Sequence, residues 1–328
     1  MIRLGYQIPV FDYPGVDPGH LFEAVADQAV AAERSGFDTV LAMDHLYQIP
    51  LLGPPDANML ECHTLLSALA ARTEKIRLSA LVASNTYRNP AFLAKVVTSL
   101  DIVSSGRAIC GIGAGWFEDE HVAFGYEFGT FADRFEKLEE ALEIITAMFG
   151  DERPTLDGKH YRVSETINQP PPVRSTGIPV MIGGSGEKKT LRLVARYAQE
   201  SNLTCASDEV PRKLDALAGH CADLGRDRSE IDVSVLRSLI IAPDMAGVEA
   251  LRDRYFAARG MDWHSFDEAT RAELTNRVLM GDPDSVAEQV ESDLLGLGID
   301  GLIVNMVTNG NDPEMVELAG ETLAPLFT

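Results

Sequence analysis

The sequence predicts an α/β fold, a closed (β/α)8 barrel, and three observations carry that prediction. Strand-like and helix-like segments alternate along the whole chain, eight times over. The strand-like segments are mostly short, continuous apolar runs, the pattern of parallel strands buried on both faces. The 328 residues suit one such barrel with insertions. A doubly wound open sheet is the alternative topology, and it usually has fewer strands.

The elements follow in order. Residues 2–10 read as a first strand and not as a signal peptide. Phe22, Val25, Ala29 and Ala32 then fall on one helical face, and Gly36 stands where a left-handed cap would close that helix. The second strand, 38–43, runs into Asp44-His45, and the third, 76–83, into the polar stretch Ser84-Asn85-Thr86-Tyr87-Arg88-Asn89-Pro90. Asn89 is a natural N-cap there, with Pro90 at the first helical position. The fourth strand, 108–113, ends among Gly111, Gly113 and Gly115. Phe135, Leu138, Leu142, Ile145 and Phe149 mark the next helix by their three- and four-residue spacing. The remaining strands are 179–183, 201–205, 231–241 and 301–307. Two stretches interrupt the alternation: 151–178, with a hairpin-like Asp157-to-Val163 segment and three consecutive prolines, and the polar, helix-prone 244–281. With no internal repeat or linker, the expectation is a single barrel domain over 1–328 carrying these two insertions.

Composition narrows the functional classes. Apolar residues make up 45% of the chain, enough for a sizeable core, and no apolar run approaches the roughly 20 residues that cross a bilayer. A soluble, cytoplasmic protein is expected. The formal charge of -22 argues against nucleic acid or anionic lipid as partners and leaves a small-molecule substrate. Cys62, Cys110, Cys205 and Cys221 form no CxxC pair and read as buried structural thiols.

Several motifs could carry chemistry. Glycines at the end of a buried strand permit close approach of a ligand, or of packing neighbours. Asp44-His45 stands where a barrel opens its mouth, so His45 could bond a substrate or move a proton; a loop cap with a surface imidazole is the plainer reading. Gly183-Gly184-Ser185-Gly186 opens a helix whose N–H groups could hold a phosphate. It is not a P-loop, because the GxxxxGK[ST] spacing is absent. Asn202 follows the start of the sixth strand and Asn305 lies in the eighth. The Glu118-Asp119-Glu120-His121 run spreads its charges round one helical turn, and no metal site is expected from it. No GxSxG elbow is present.

Taken together and in this order, these motifs resemble the bacterial luciferase-like family of flavin- and deazaflavin-dependent oxidoreductases. The resemblance rests on Asp44-His45, Thr86-to-Pro90, Ser105-Gly106-Arg107 leading to Gly111-to-Trp116, Arg134-Phe135 with Leu138-Glu139-Glu140, Ile182-to-Gly186, and Ala195-to-Ala198 before Asn202. The run from Gly183 to Tyr197 is most similar to the branch that uses coenzyme F420. The resemblance implies a TIM barrel, often a homodimer, with the cofactor ring at the C-terminal mouth. It implies a non-proline cis peptide within Leu81-Val82-Ala83, Ala114 and Gly115 beside the ring, Gly183, Gly184 and Ser185 near the phosphate, and Asp44 and His45 as the pair near the ring.

The expected activity is hydride transfer between C5 of F420 and a small organic substrate. An FMN-dependent monooxygenase and a non-catalytic flavin-binding protein are the alternatives. His45 is the expected proton donor or substrate anchor, with Asp44 beside it. Leu81, Val82, Ala83 and Trp116 would wall the ring, and Asn85, Gly113 and Asn202 complete the expected cofactor contacts. Tyr13, Tyr47, Phe256, Trp263 and Phe266 are candidates to line a substrate pocket. Two features depart from the family pattern. Trp116 stands where some sugar-phosphate dehydrogenases of the family have a catalytic glutamate, which argues against their substrate. Ala198-Gln199-Glu200-Ser201-Asn202 replaces the usual Ala-Asp-Gly-Trp-Asn.

Overall fold

The structure, a computed structural model, describes residues 3–50, 52–150 and 152–327. Ile2, the expected start of the first strand, and Asp151, the first residue of the first insertion, lie outside them. The first half of the chain runs β1 (Leu4–Ile8), α1 (Leu21–Arg34), β2 (Thr39–Ala42), α2 (Cys62–Ala70), β3 (Arg77–Ala80), β4 (Ala83–Ser84), α3 (Pro90–Val103), β5 (Ala108–Gly113), α4 (Glu118–Phe124) and α5 (Phe131–Phe149). The second half runs β6 (Leu156–Asp157), β7 (Arg162–Val163), β8 (Val180–Gly183), α6 (Thr190–Tyr197), β9 (Glu200–Leu203), α7 (Val210–Leu224), β10 (Asp232–Ile241), α8 (Met245–Ala257), α9 (Glu268–Thr275), β11 (Val278–Gly281), α10 (Pro283–Asp293), β12 (Gly301–Asn305) and α11 (Pro313–Leu323).

Parallel pairing in the order β1-β2-β3-β5-β8-β9-β10-β12, with β12 returning to β1, closes the eight-stranded barrel. Its strands are buried because each must bond on both edges and pack on both faces. Helix starts are set locally: the Asn89 side chain accepts from the N–H groups of Ala91 and Phe92, Thr130 and Asp133 form a capping box, and Asp282 caps α10 through the Ser285 N–H. Leu41, Ile109, Met181 and Ile303 fill the barrel axis, with Leu81, Val82 and Leu236 packed against them at the C-terminal end. A larger apolar layer lies between strands and helices.

Three details differ from the sequence reading. The third strand, expected to run unbroken to residue 83, is split into β3 and β4 at a cis Leu81–Val82 peptide, within the expected segment. The segment 244–281, expected to be polar and helical, ends in a strand: β11 pairs in parallel with the second half of the ten-residue β10. Phe256, Trp263 and Phe266, expected near the substrate, instead pack with Tyr255, Val248 and Val278 into a small apolar core of that excursion. Tyr13 likewise belongs to the main core, where it accepts from Gln28 and donates to the Val10 carbonyl. The excursion after α5 carries the antiparallel β6–β7 pair. All four cysteines are free and buried, and burial pushes the Cys110 thiol up to about 12.

Candidate active site

Leu81, Val82 and Leu236 cap the barrel axis and form the floor of a cavity of about 420 Å3 at its C-terminal mouth. Small-molecule sites occupy about 300–1,000 Å3. Asp44, His45, Ala83, Gly113, Ala114, Gly115, Trp116, Gly183, Gly184 and Asn202 also line it, so most of the residues expected from sequence meet here. Asn85 and Ser185 do not line it. The Asn85 N–H donates to the Gly113 carbonyl (3.0 Å), its side chain to the Arg134 carbonyl (3.5 Å), and Tyr161 donates to its own carbonyl. The Ser185 hydroxyl accepts from the Thr204 N–H at 2.9 Å.

The strand-end glycines answer first to packing. A Cβ on Gly113 would lie 2.7 Å from Val82 Cγ2, and one on Gly183 2.8 Å from Val82 Cγ1. Both glycines therefore make room for the valine that forms the floor. Gly115, at φ +80°, turns the chain away from β5 where a side chain would meet Ser84 and Thr86.

His45 lies on the cavity wall with its side chain 13% exposed, and its Nδ1 is 2.9 Å from Glu120 Oε2. Glu120 was missed in the sequence because the run around it looks like a solvated turn. Glu118 and Asp119 are indeed exposed, but Glu120 and His121 are fully buried. Glu120 sits at the third position of α4, where side chains point back past the helix N-terminus toward the barrel mouth. Its carboxylate accepts from His45, from the Tyr87 hydroxyl, and from the N–H groups of Leu46 and Tyr47. Burial pushes its pKa up, but the bonds from His45, Tyr87 and Leu46 outweigh this and hold it below the usual carboxylate range. An ionised carboxylate only accepts, so Nδ1 of His45 carries the donated proton and Nε2 is left for the cavity.

Asp44 is differently placed from its sequence role. Both of its oxygens receive Arg88, at 2.7 and 2.9 Å, and Oδ2 also receives the Ser84 N–H at 2.9 Å. It holds the chain after the cis peptide and has no uncommitted oxygen for proton transfer. His121 donates from Nδ1 to the Phe117 carbonyl (2.7 Å) and accepts at Nε2 from Thr86 (2.6 Å), which ties the loop after β5 to the loop after β4. Among the described residues, two sets of three ligand-type side chains converge: Asp44, Cys62 and His63, and Asp133, Glu136 and His160. Each already contains a cation, Arg88 on Asp44 and Lys159 on Asp133 and Glu136.

A flat heterocycle with polar edges fits these residues. Asn202 is fully buried and lines the cavity; its amide donates to Ser234 (3.0 Å), while its Oδ1 has no donor. A buried acceptor without a partner is costly unless a ligand N–H supplies one. The Gly184 N–H is already bonded to the Asn202 carbonyl (2.9 Å), so the phosphate-binding capacity expected of this turn falls to its remaining groups and to Thr190, which also lines the cavity.

Comparison with known proteins gives a consistent picture. The luciferase-like monooxygenase family model matches residues 2–301. An F420-dependent glucose-6-phosphate dehydrogenase from Microbacterium testaceum is 32% identical over 222 residues, 66% of this chain and 64% of that protein. The enzyme of the same name from Segniliparus rotundus is 27% identical across 99% of this chain and 97% of its own length. The monooxygenase RslO1 from Streptomyces bottropensis shares the fold, with a TM-score of 0.81 at 19% identity over the full length of both chains.

Proposed function

The chain belongs to the luciferase-like monooxygenase family, and from that premise we propose that it is an F420-dependent oxidoreductase moving a hydride between deazaflavin C5 and a small organic substrate. Its F420-dependent relatives support the cofactor. The observation that carries the reading is His45, backed by Glu120, on the wall of an apolar-floored cavity that also holds an unpaired buried acceptor, Asn202 Oδ1.

When bound, a 5-deazaflavin supplies a carbon that gives or takes a hydride. Leu81, Val82, Ala83, Gly113, Ala114 and Gly115 would hold its ring by shape and exclude water from one face. Asn202 Oδ1 would accept a ring N–H, and Gly183, Gly184 and Thr190 would border the phosphate. Glu120 fixes the His45 tautomer, and His45 Nε2 gives a proton to the oxygen of a carbonyl as it is reduced, or takes one as an alcohol is oxidised. Asp44, clamped by Arg88, positions the segment behind the ring. The barrel and its two excursions act as one domain in this reading. Its setting is a cytoplasmic homodimer, with exposed Phe92, Ile102 and Val103 on α3 as apolar surface for the contact. Among the described residues, no helix is long and apolar enough to cross a membrane.

Anaerobic assays with reduced F420 and a panel of aldehydes, ketones and enones test the proposal. Turnover without oxygen, lowered about 100-fold or more in kcat by His45→Ala, is expected. Activity that needs reduced FMN and consumes oxygen would contradict it.

A further inference from the structure

We infer that the substrate of this site is an uncharged, largely apolar alcohol or carbonyl compound and not a sugar phosphate, an inference that rests on the proposed hydride transfer and narrows it. It starts from the rim of the cavity. Trp116 is 58% exposed and Phe131 60% exposed, although both line a concave site. Large apolar side chains left open beside a cavity mark a surface that a ligand covers. Trp116 stands edge-on to the His45 ring, with centroids 5.7 Å apart, and stacks on Phe117 at 5.2 Å. The His45 imidazole is thus flanked by an indole, which offers a flat substrate contact area without a matching charge.

The charges on the wall agree. Among the described residues lining the cavity, the ionisable groups besides His45 and Tyr87 are Asp44 and Arg134. Asp44 is neutralised by Arg88. Arg134 donates to the carbonyls of Gly115 (3.2 Å) and Gly129 (3.0 Å) and lies 3.8 Å over the Phe128 ring, so its guanidinium ties the loop after β5 together. Lys188, Lys189, Arg192 and Arg196 line a separate cleft between α5 and the start of α6, with Glu136 and Glu139 on its other side; it shares Phe135 with the cavity but not His45. A phosphate brought to His45 would lose its water with Arg134, already bonded to two carbonyls, as the one Lys or Arg among the described residues lining the cavity, inside a chain of formal charge -22.

The chemistry balances on these groups. In the oxidising direction the carbinol C–H bond breaks and its hydride passes to oxidised F420. The hydroxyl proton goes to His45 Nε2 as the C=O bond forms. Reduction reverses both transfers.

The chain has two tryptophans, so Trp263→Phe leaves Trp116 as the sole tryptophan reporter at the mouth. With F420 binding first established by its own absorbance, benzyl alcohol and glucose 6-phosphate are compared as substrates for oxidised F420, and benzaldehyde is tested with reduced F420. The expected result is that benzyl alcohol and benzaldehyde alter Trp116 emission in the F420-loaded protein. Benzyl alcohol should exceed glucose 6-phosphate in kcat/KM by at least about 100-fold, and Trp116→Ala should lower its kcat/KM about tenfold, chiefly through KM. A preference for glucose 6-phosphate, or F420-loaded protein that neither binds nor turns over the uncharged pair, would overturn the inference. Failure to bind F420 at all would instead overturn the cofactor reading beneath it.

Discussion

Glu120 is the residue on which the site turns. It is fully buried and receives four donors, one of them the imidazole expected to exchange the proton. His45 was legible in the sequence because a histidine directly after a barrel strand points to the mouth. Glu120 was not, because spacing along α4 cannot tell which of three consecutive acids turns inward; only the packing of α4 against the loop after β2 decides it. Glu120→Gln keeps the volume but places an amide donor against His45 Nδ1 or Tyr87. It should lower kcat about 100-fold and shift the limb of the pH–rate profile that reports the imidazole, as steady-state rates across pH would show. The depressed carboxyl also has a stability consequence. Its contribution is full above the unfolded glutamate pKa of about 4.3 and is lost as pH falls through the lower folded value. The stability gap between wild type and Glu120→Gln in urea titrations should therefore close as pH drops below about 4.3. A gap independent of pH would place the effect in packing alone.

At the scale of elements, the eight barrel strands were readable because most are apolar runs bounded by turn residues and because they alternate with helical patterns; β9, Glu200–Leu203, is the polar exception. β11 was not, because Val278–Gly281 closes a polar, helix-prone stretch; its partner is the far half of β10, a pairing that local pattern cannot reveal. The glycines of β5 and β8 were legible as positions of close approach. The partner that approaches Gly113 and Gly183, the Val82 side chain, comes from the link between β3 and β4, which pair with β5 but are remote from β8 in sequence. The excursion from α8 to β11 has its own apolar core around Phe256, distinct from the barrel's. Phe256→Ala should destabilise that excursion by about 3–5 kcal/mol. Hydrogen exchange should rise across α8 and α9 while the β1, β2 and β5 amides stay protected. Equal loss of protection in the barrel strands would show that the two cores unfold together.

For the molecule as a whole, the closed barrel gathers residues from five separate loops into one cavity. That is why the fold and most cofactor-side residues could be read from strand ends, while the inward turn of α4 and the outward siting of the aromatic excursion could not. The acidic surface suits a protein whose partner is a small molecule held by shape, and four basic residues, Lys188, Lys189, Arg192 and Arg196, line one cleft just beyond Gly183-to-Gly186. The central claim is that this cavity is a deazaflavin site. A titration of the purified protein with oxidised and reduced F420 and with FMN, read by quenching of Trp116 in the Trp263→Phe background, addresses it most directly. Tight, saturable quenching by F420 with FMN binding at least about tenfold weaker is the predicted result. Tight binding of FMN alone, or quenching by neither cofactor, would contradict the account.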